Sequence, residues 1–265
     1  MRLLDRYAGF VFDLDGTVYL DDVLLPGAAA TLAAVRERGA PHLFLTNKPL
    51  ERSSVYAGVL SRLGVPTMDD QVVSSLDALV LYLGRTAPGA RVLCVSEPLV
   101  AEVLFDAGFD VVSHGEAESA DVVAVAFDRT FDYAKLHAAY KAVNAGARII
   151  ATNPDRFCPT ADGGLPDCAA MLAAVEACTG VRAEAIVGKP SRHMAAAVLD
   201  RLGLPAEAVL VVGDRLATDI AMAAAAGMSS ALVLSGDSQS KDLAAAEVWP
   251  GYLLDTIAGL LDERA

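Results

Sequence analysis

Basic residues are scarce in this chain. Among 265 residues, 21 are Lys or Arg against 34 Asp or Glu, a formal net charge of -13. No basic stripe is available to neutralise the phosphates of a polymer, which argues against a nucleic-acid partner. A small anion would have to be held locally, by a metal, a lysine or backbone amides, against an unfavourable overall field. Long apolar runs are also missing: none reaches the roughly 18 residues of a membrane-crossing helix. The start, Met1-Arg2-Leu3-Leu4-Asp5, lacks the apolar core of a secretory signal, so a cytoplasmic protein with no membrane partner is expected. The four cysteines (Cys94, Cys158, Cys168, Cys178) form no C-x-x-C pair. Their wide spacing and the few histidines do not suggest zinc, and they read as reduced thiols. The single tryptophan, Trp249, lies outside every motif and is expected to pack.

Apolar residues, much of them Ala, Val and Leu, make up 54% of the chain, enough for a globular protein of two modest domains. Short β-branched runs alternate with Ala-rich helical stretches, the pattern of a mostly parallel sheet with helices on both faces. Strands are predicted at Phe10-Asp13, His42-Thr46, Val72-Ser74, Val92-Val95, Val122-Phe127, Arg148-Thr152, Ala185-Val187, Val209-Val212 and Ala231-Leu234. Between Asn153 and Asp167 a Pro/Gly/Asp-rich stretch reads as a loop long enough to carry function. Three domain segments are expected: 1–80, 81–182 and 183–265, with a turn at Thr86-Ala87-Pro88-Gly89-Ala90 near the first break.

The segment Phe10-Val11-Phe12-Asp13-Leu14-Asp15-Gly16-Thr17 is a strand ending in two aspartates two residues apart. Strand side chains alternate, so Asp13 and Asp15 leave on one side, and Gly16 permits a sharp exit at the carboxyl edge, where parallel sheets bind ligands. Two such carboxylates repel unless a divalent cation or a proton lies between them. Alone, the motif also fits a capped turn or a calcium loop, but Val18-Tyr19-Leu20 supplies none of a calcium loop's further oxygens. Three other strands end in polar residues: Thr46-Asn47, Gly188-Lys189-Pro190, and Gly213-Asp214 with Asp219 following. All four ends together fit phosphoryl transfer from a magnesium-bound phosphate.

The quartet D-L-D-G-T, L-T-N, V-G-K-P-S and V-G-D-R-L-x-T-D-I resembles the haloacid dehalogenase superfamily, in its class IIA branch of NagD-like and 4-nitrophenylphosphatase-like phosphatases. Thr152-Asn153-Pro154-Asp155 also matches a cap loop of that branch. The resemblance implies an α/β fold: a Rossmann-like core with a parallel sheet and helices on both faces, plus an inserted α/β cap domain. It implies a phosphatase in which Asp13 is the nucleophile, forming an aspartyl-phosphate, and Asp15 is the general acid and base. Thr46 and the amide of Asn47 would hold phosphoryl oxygens, and Lys189 would neutralise phosphate charge. Asp13, the backbone carbonyl of Asp15 and Asp214 would ligate Mg²⁺, with Asp219 supporting the site from behind. A dehalogenase would not need the second carboxylate, so Asp15 favours a phosphatase.

In this branch the cap sets specificity, and the loop from Asn153 to Cys168 carries Asp155, Arg156, Asp162 and Asp167. Carboxylates suit hydroxyl-rich leaving groups. Asp155 and Asp167 are therefore expected to bind substrate, a small sugar or polyol phosphate, although these aspartates also fit simple caps of helices. Nucleotide monophosphates, pyridoxal phosphate and phosphoglycolate stand as alternatives, as do a non-catalytic phospholigand-binding module and a phosphomutase. Branch members often dimerise through the cap, which makes a homodimer an expectation. Two positions depart from the branch pattern: Lys48 stands where Asn is common, and Ala217 where Asp is common.

Overall fold

The computed structural model describes residues 1–21, 23–160 and 163–263. By its contacts the chain forms two compact units, Met1–Thr46 with Ser53–Val73 and Lys189–Ala265, and Asn47–Arg52 with Ser74–Gly188. The breaks thus fall after Val73 and Gly188, not after residues 80 and 182. Helix Ser75–Thr86 starts directly from a strand, because Ser74 caps it: Ser74 Oγ accepts from Asp77 N, and Asp77 Oδ2 accepts from Ser74 N at 2.7 Å. The helix belongs to the second unit, where Tyr82 donates to Glu184 at 2.9 Å.

The first unit is built on a six-stranded sheet ordered Tyr252–Leu254, Ser229–Val233, Val209–Gly213, Gly9–Asp13, His42–Thr46, Val72–Ser74. Gly9–Asp13 runs parallel to both Val209–Gly213 and His42–Thr46, pairing Phe12 with Val212 and with Phe44. Both central strands are buried along their whole length, as parallel strands covered on two faces must be. On one face Phe10, Phe12, Phe44, Leu210 and Val212 pack with Leu32, Val35, Tyr56 and Leu60 of helices Ala28–Glu37 and Ser53–Arg62. The register leaves Asp13, Thr46 and Gly213 together at the carboxyl edge of the sheet.

A second parallel sheet forms the other unit, ordered Ala185–Ile186, Arg148–Ala151, Val122–Val125, Arg91–Val95, Asp110–Val112. Its order reverses between Arg91–Val95 and Val122–Val125, and such a switch point opens a crevice at the strand ends. Here Lys135 lies across those ends. Its Nζ donates to Asp128 Oδ2 at 2.6 Å, to Thr130 Oγ1 at 2.6 Å and to the Ser96 carbonyl at 2.9 Å. Three ammonium hydrogens meet three acceptors, and the Asp128 side chain is wholly buried. Removing one partner of a buried pair strands the other. Lys135→Met is expected to lower unfolding free energy by about 3 kcal/mol in a denaturant titration; a loss under about 1 kcal/mol would make the ion pair incidental.

Several short elements were not legible. Strands Phe157–Thr160 and Gly163–Pro166 form an antiparallel hairpin inside the stretch read as a loop, where Pro159 and Pro166 argue against strands. Asp162, expected in that stretch, lies outside the described residues. Strand Asp110–Val112 and a small hairpin, Tyr19–Leu20 with Val23–Leu24, are also additional. Trp249 does not pack; it is 67% exposed. Among the described residues no helix is long and apolar enough to cross a membrane.

Candidate active site

At the carboxyl edge of the first unit's sheet, four charged side chains are buried together: Asp13, Lys189, Asp214 and Asp219. Lys189 Nζ donates to Asp13 Oδ1 and, at 2.7 Å, to Asp219 Oδ1. Asp219 Oδ2 accepts from the Arg215 amide at 3.2 Å. Asp214 Oδ2 accepts from the Asp237 amide at 2.7 Å, while its Oδ1 is buried with no hydrogen-bond partner. Glycines make room for these groups. A Cβ on Gly213 would lie 2.3 Å from Asp219 Cγ, and one on Gly16, whose φ is +83°, would lie 2.6 Å from Asp214 Oδ2.

Carboxylate oxygens of Asp13, Asp214 and Asp219 all lie within 4.8 Å of one another. Three carboxylates face one ammonium, leaving a formal excess of two negative charges. That excess appears in the ionisation of the groups. Burial, then the charges of Asp219 and Asp214, push Asp13 well above the usual carboxylate range despite Lys189. Burial and then Asp219 push Asp214 up to about 6. Burial works to lower Lys189, but Asp13 and Asp219 outweigh it and raise it. An orphaned carboxylate oxygen, hard oxygen donors and an excess charge of two together fit a divalent cation.

The other expected site residues are placed as follows. Thr46 ends its strand, buried, in the first unit. Asp15 is half-buried at a bridge to Tyr19, and its carboxylate is not among the clustered three. Asn47 and Asp155 meet in the second unit, Asn47 Nδ2 donating to Asp155 Oδ2 at 2.9 Å. Asp167 is only 3% exposed and caps helix Cys168–Thr179, its Oδ1 accepting from Cys168 N at 2.6 Å. Asp167 thus takes the helix-capping role that the sequence also allowed. Ala217 is exposed on the π turn Leu216–Ile220, while the neighbouring Asp219 side chain is buried. Sequence reasoning missed Gly236, whose Cβ position would lie 2.1 Å from Asp214 Oδ2; a lone glycine in Ser235-Gly236-Asp237 gives no signal.

A profile of haloacid dehalogenase-like hydrolases matches residues 10–110, and a second HAD-hydrolase-like profile matches residues 186–260. The sugar-phosphatase AraL of Bacillus subtilis is 34% identical over 250 residues, covering 94% of this chain and 90% of its own. The crystal structure of a 4-nitrophenylphosphatase from Thermotoga maritima superposes with a TM-score of 0.91 at 33% identity, covering 98% of each chain. That of a glycerol phosphate phosphatase from Mycobacterium tuberculosis, in complex with calcium, gives 0.89 at 33% identity, covering 98% of this chain and 76% of that one. The chain belongs to the haloacid dehalogenase superfamily, in its NagD-like class IIA branch of phosphoric monoester hydrolases.

Proposed function

We propose that the protein is a Mg²⁺-dependent phosphatase that hydrolyses a small sugar or polyol phosphate through an aspartyl-phosphate on Asp13. The observation that carries this reading is the group of three buried carboxylates around Lys189, with one Asp214 oxygen unpartnered. Asp13 Oδ attacks phosphorus, and the ester oxygen departs with a proton from Asp15. Asp15 then takes a proton from the water that attacks the aspartyl-phosphate, releasing phosphate and restoring Asp13. Thr46 and the Asn47 amide hold the phosphoryl oxygens, and Lys189 balances the charge spread over them. Asp13, Asp214 and the Asp15 carbonyl would hold Mg²⁺, which supplies charge neutralisation for the phosphoryl group. The relatives that act on sugar phosphates and glycerol phosphate support a hydroxyl-rich leaving group.

Phosphate release from sugar, polyol, nucleotide, pyridoxal and glycolate phosphates, with Mg²⁺ and with EDTA, tests the reading. Mg²⁺-dependent release led by a sugar or polyol phosphate is the expected result. A panel led by nucleotides would move the substrate class, and no release from any ester would favour a binding module. A cytoplasmic location and a homodimer through the cap belong to the same proposal, the dimer being read by light scattering.

The cation reading has a pH signature. Asp214 prefers its protonated form in the fold, so its contribution to stability is present below about pH 4 and lost as pH rises through about 6. A bound cation reverses that loss. The rise in Tm given by Mg²⁺ over EDTA is expected to be a few degrees larger at pH 7.5 than at pH 5. Equal rises at both pH values would remove Asp214 from the metal site.

A further inference from the structure

In the second unit, the Asn47 side chain and carbonyl belong to a closed ring of hydrogen bonds that the reaction above does not use. Asn153 Nδ2 donates to the Asn47 carbonyl at 3.1 Å. The Asp155 amide donates to Asn153 Oδ1 at 2.9 Å. Asn47 Nδ2 closes the ring by donating to Asp155 Oδ2 at 2.9 Å. A fourth group, Ser75 Oγ, donates to the same Asn47 carbonyl at 2.7 Å. Asn153 and Ser75 are completely buried. Gly188 closes over the ring: a Cβ there would lie 2.4 Å from the Thr152 carbonyl and 2.7 Å from Asn47 Oδ1.

The consequence is local and mechanical. Both lone pairs of the Asn47 carbonyl are engaged, and its side-chain amide is tied to a carboxylate by a charge-assisted bond. Asn47 is thereby anchored at its carbonyl and at its side chain, which restricts its backbone and holds its N–H in one direction. We propose that Asp155, Asn153 and Ser75 are positioning residues for the phosphate subsite. Asp155 acts through Asn47 and not on the leaving group, the role that its place in the sequence suggests. This inference rests on the proposed use of the Asn47 amide to hold a phosphoryl oxygen. A preformed donor binds an anion without the cost of ordering itself at the moment of binding.

Inorganic phosphate is the probe, because it has no leaving group. Its binding to Asp155→Ala, Asp155→Asn and Ser75→Ala is measured by calorimetry in Mg²⁺ and as competitive inhibition of ester hydrolysis. Asp155→Ala and Ser75→Ala are expected to weaken phosphate binding about tenfold, the scale of one hydrogen bond to a charged group. They should lower kcat/KM for p-nitrophenyl phosphate and for glycerol phosphate by the same factor. Asp155→Asn keeps an acceptor oxygen for Asn47 and is expected to stay within about threefold of wild type. Unchanged phosphate affinity in Asp155→Ala, with the two esters falling by different factors, would make Asp155 a leaving-group contact and overturn the proposal. Wild-type phosphate affinity in a folded Ser75→Ala, checked by thermal unfolding, would overturn it as well. Failure of the phosphatase reading is separate: wild type would then hydrolyse no ester, and the phosphate titrations would still report on the ring.

Discussion

Asp13→Asn is expected to reduce phosphate release by at least about 10⁴-fold while leaving the metal-free protein no less stable. The two halves have different causes. In the proposed mechanism Asp13 accepts the phosphoryl group, which an amide cannot do. The fold, however, loses a group it holds at a cost. Asp13 is buried beside two other carboxylates, and that surrounding pushes its ionisation well above the usual range. Asn has the same shape and still offers Lys189 an oxygen. Thermal unfolding in EDTA, measured beside turnover in Mg²⁺, reads both halves. Turnover within tenfold of wild type would exclude Asp13 as the nucleophile, and a much lower Tm would mean that its charge is needed to hold Lys189.

Lys189→Met reverses the stability result. Lys189 is the cation that touches both Asp13 and Asp219, and its side chain is 4% exposed. Removing it leaves two buried carboxylates facing each other, an expected loss of about 3–5 kcal/mol. Turnover in Mg²⁺ is expected to fall at least about 10³-fold, since in the proposed mechanism Lys189 balances the charge on the transferring phosphoryl group. Lys189→Arg is not a conservative replacement, because a planar fork presents its donors in a different geometry from a compact ammonium. Mg²⁺ should recover part of the lost stability, since it also offsets carboxylate charge, without recovering turnover. Turnover restored to the wild-type level by raising Mg²⁺ above its assay concentration would show that Lys189 only balances charge. A variant as stable as wild type in EDTA would show that the three carboxylates are not ionised together.

The parts of the site legible in the sequence are those fixed by strand ends. Asp13, Thr46 and Asp214 follow apolar runs too short for helices, and parallel register brings such ends to one edge. What was illegible depends on partners distant in sequence. Asp155 accepts from Asn47 across 108 positions, and nothing in its own run of polar residues names that partner. The hairpin from Phe157 to Pro166 was hidden by prolines that would end a strand in a larger sheet but are tolerated in a two-stranded ribbon. Asn153 and Gly188 stood in quoted motifs, but nothing in those motifs, or around Ser75, pointed to the Asn47 carbonyl. Only the fold shows that a hydroxyl and an amide converge on one carbonyl.

The membership of residues 47–52 in the second unit bears on how such proteins can be recombined. A cap exchanged between relatives as one contiguous insertion, 74–188, would leave those six residues behind. The incoming Asn153 and Asp155 positions would then meet an Asn47 segment shaped by another cap. Chimaeras cut at the obvious ends are therefore incomplete, and a workable exchange is a two-piece graft that carries 47–52 along with the insertion.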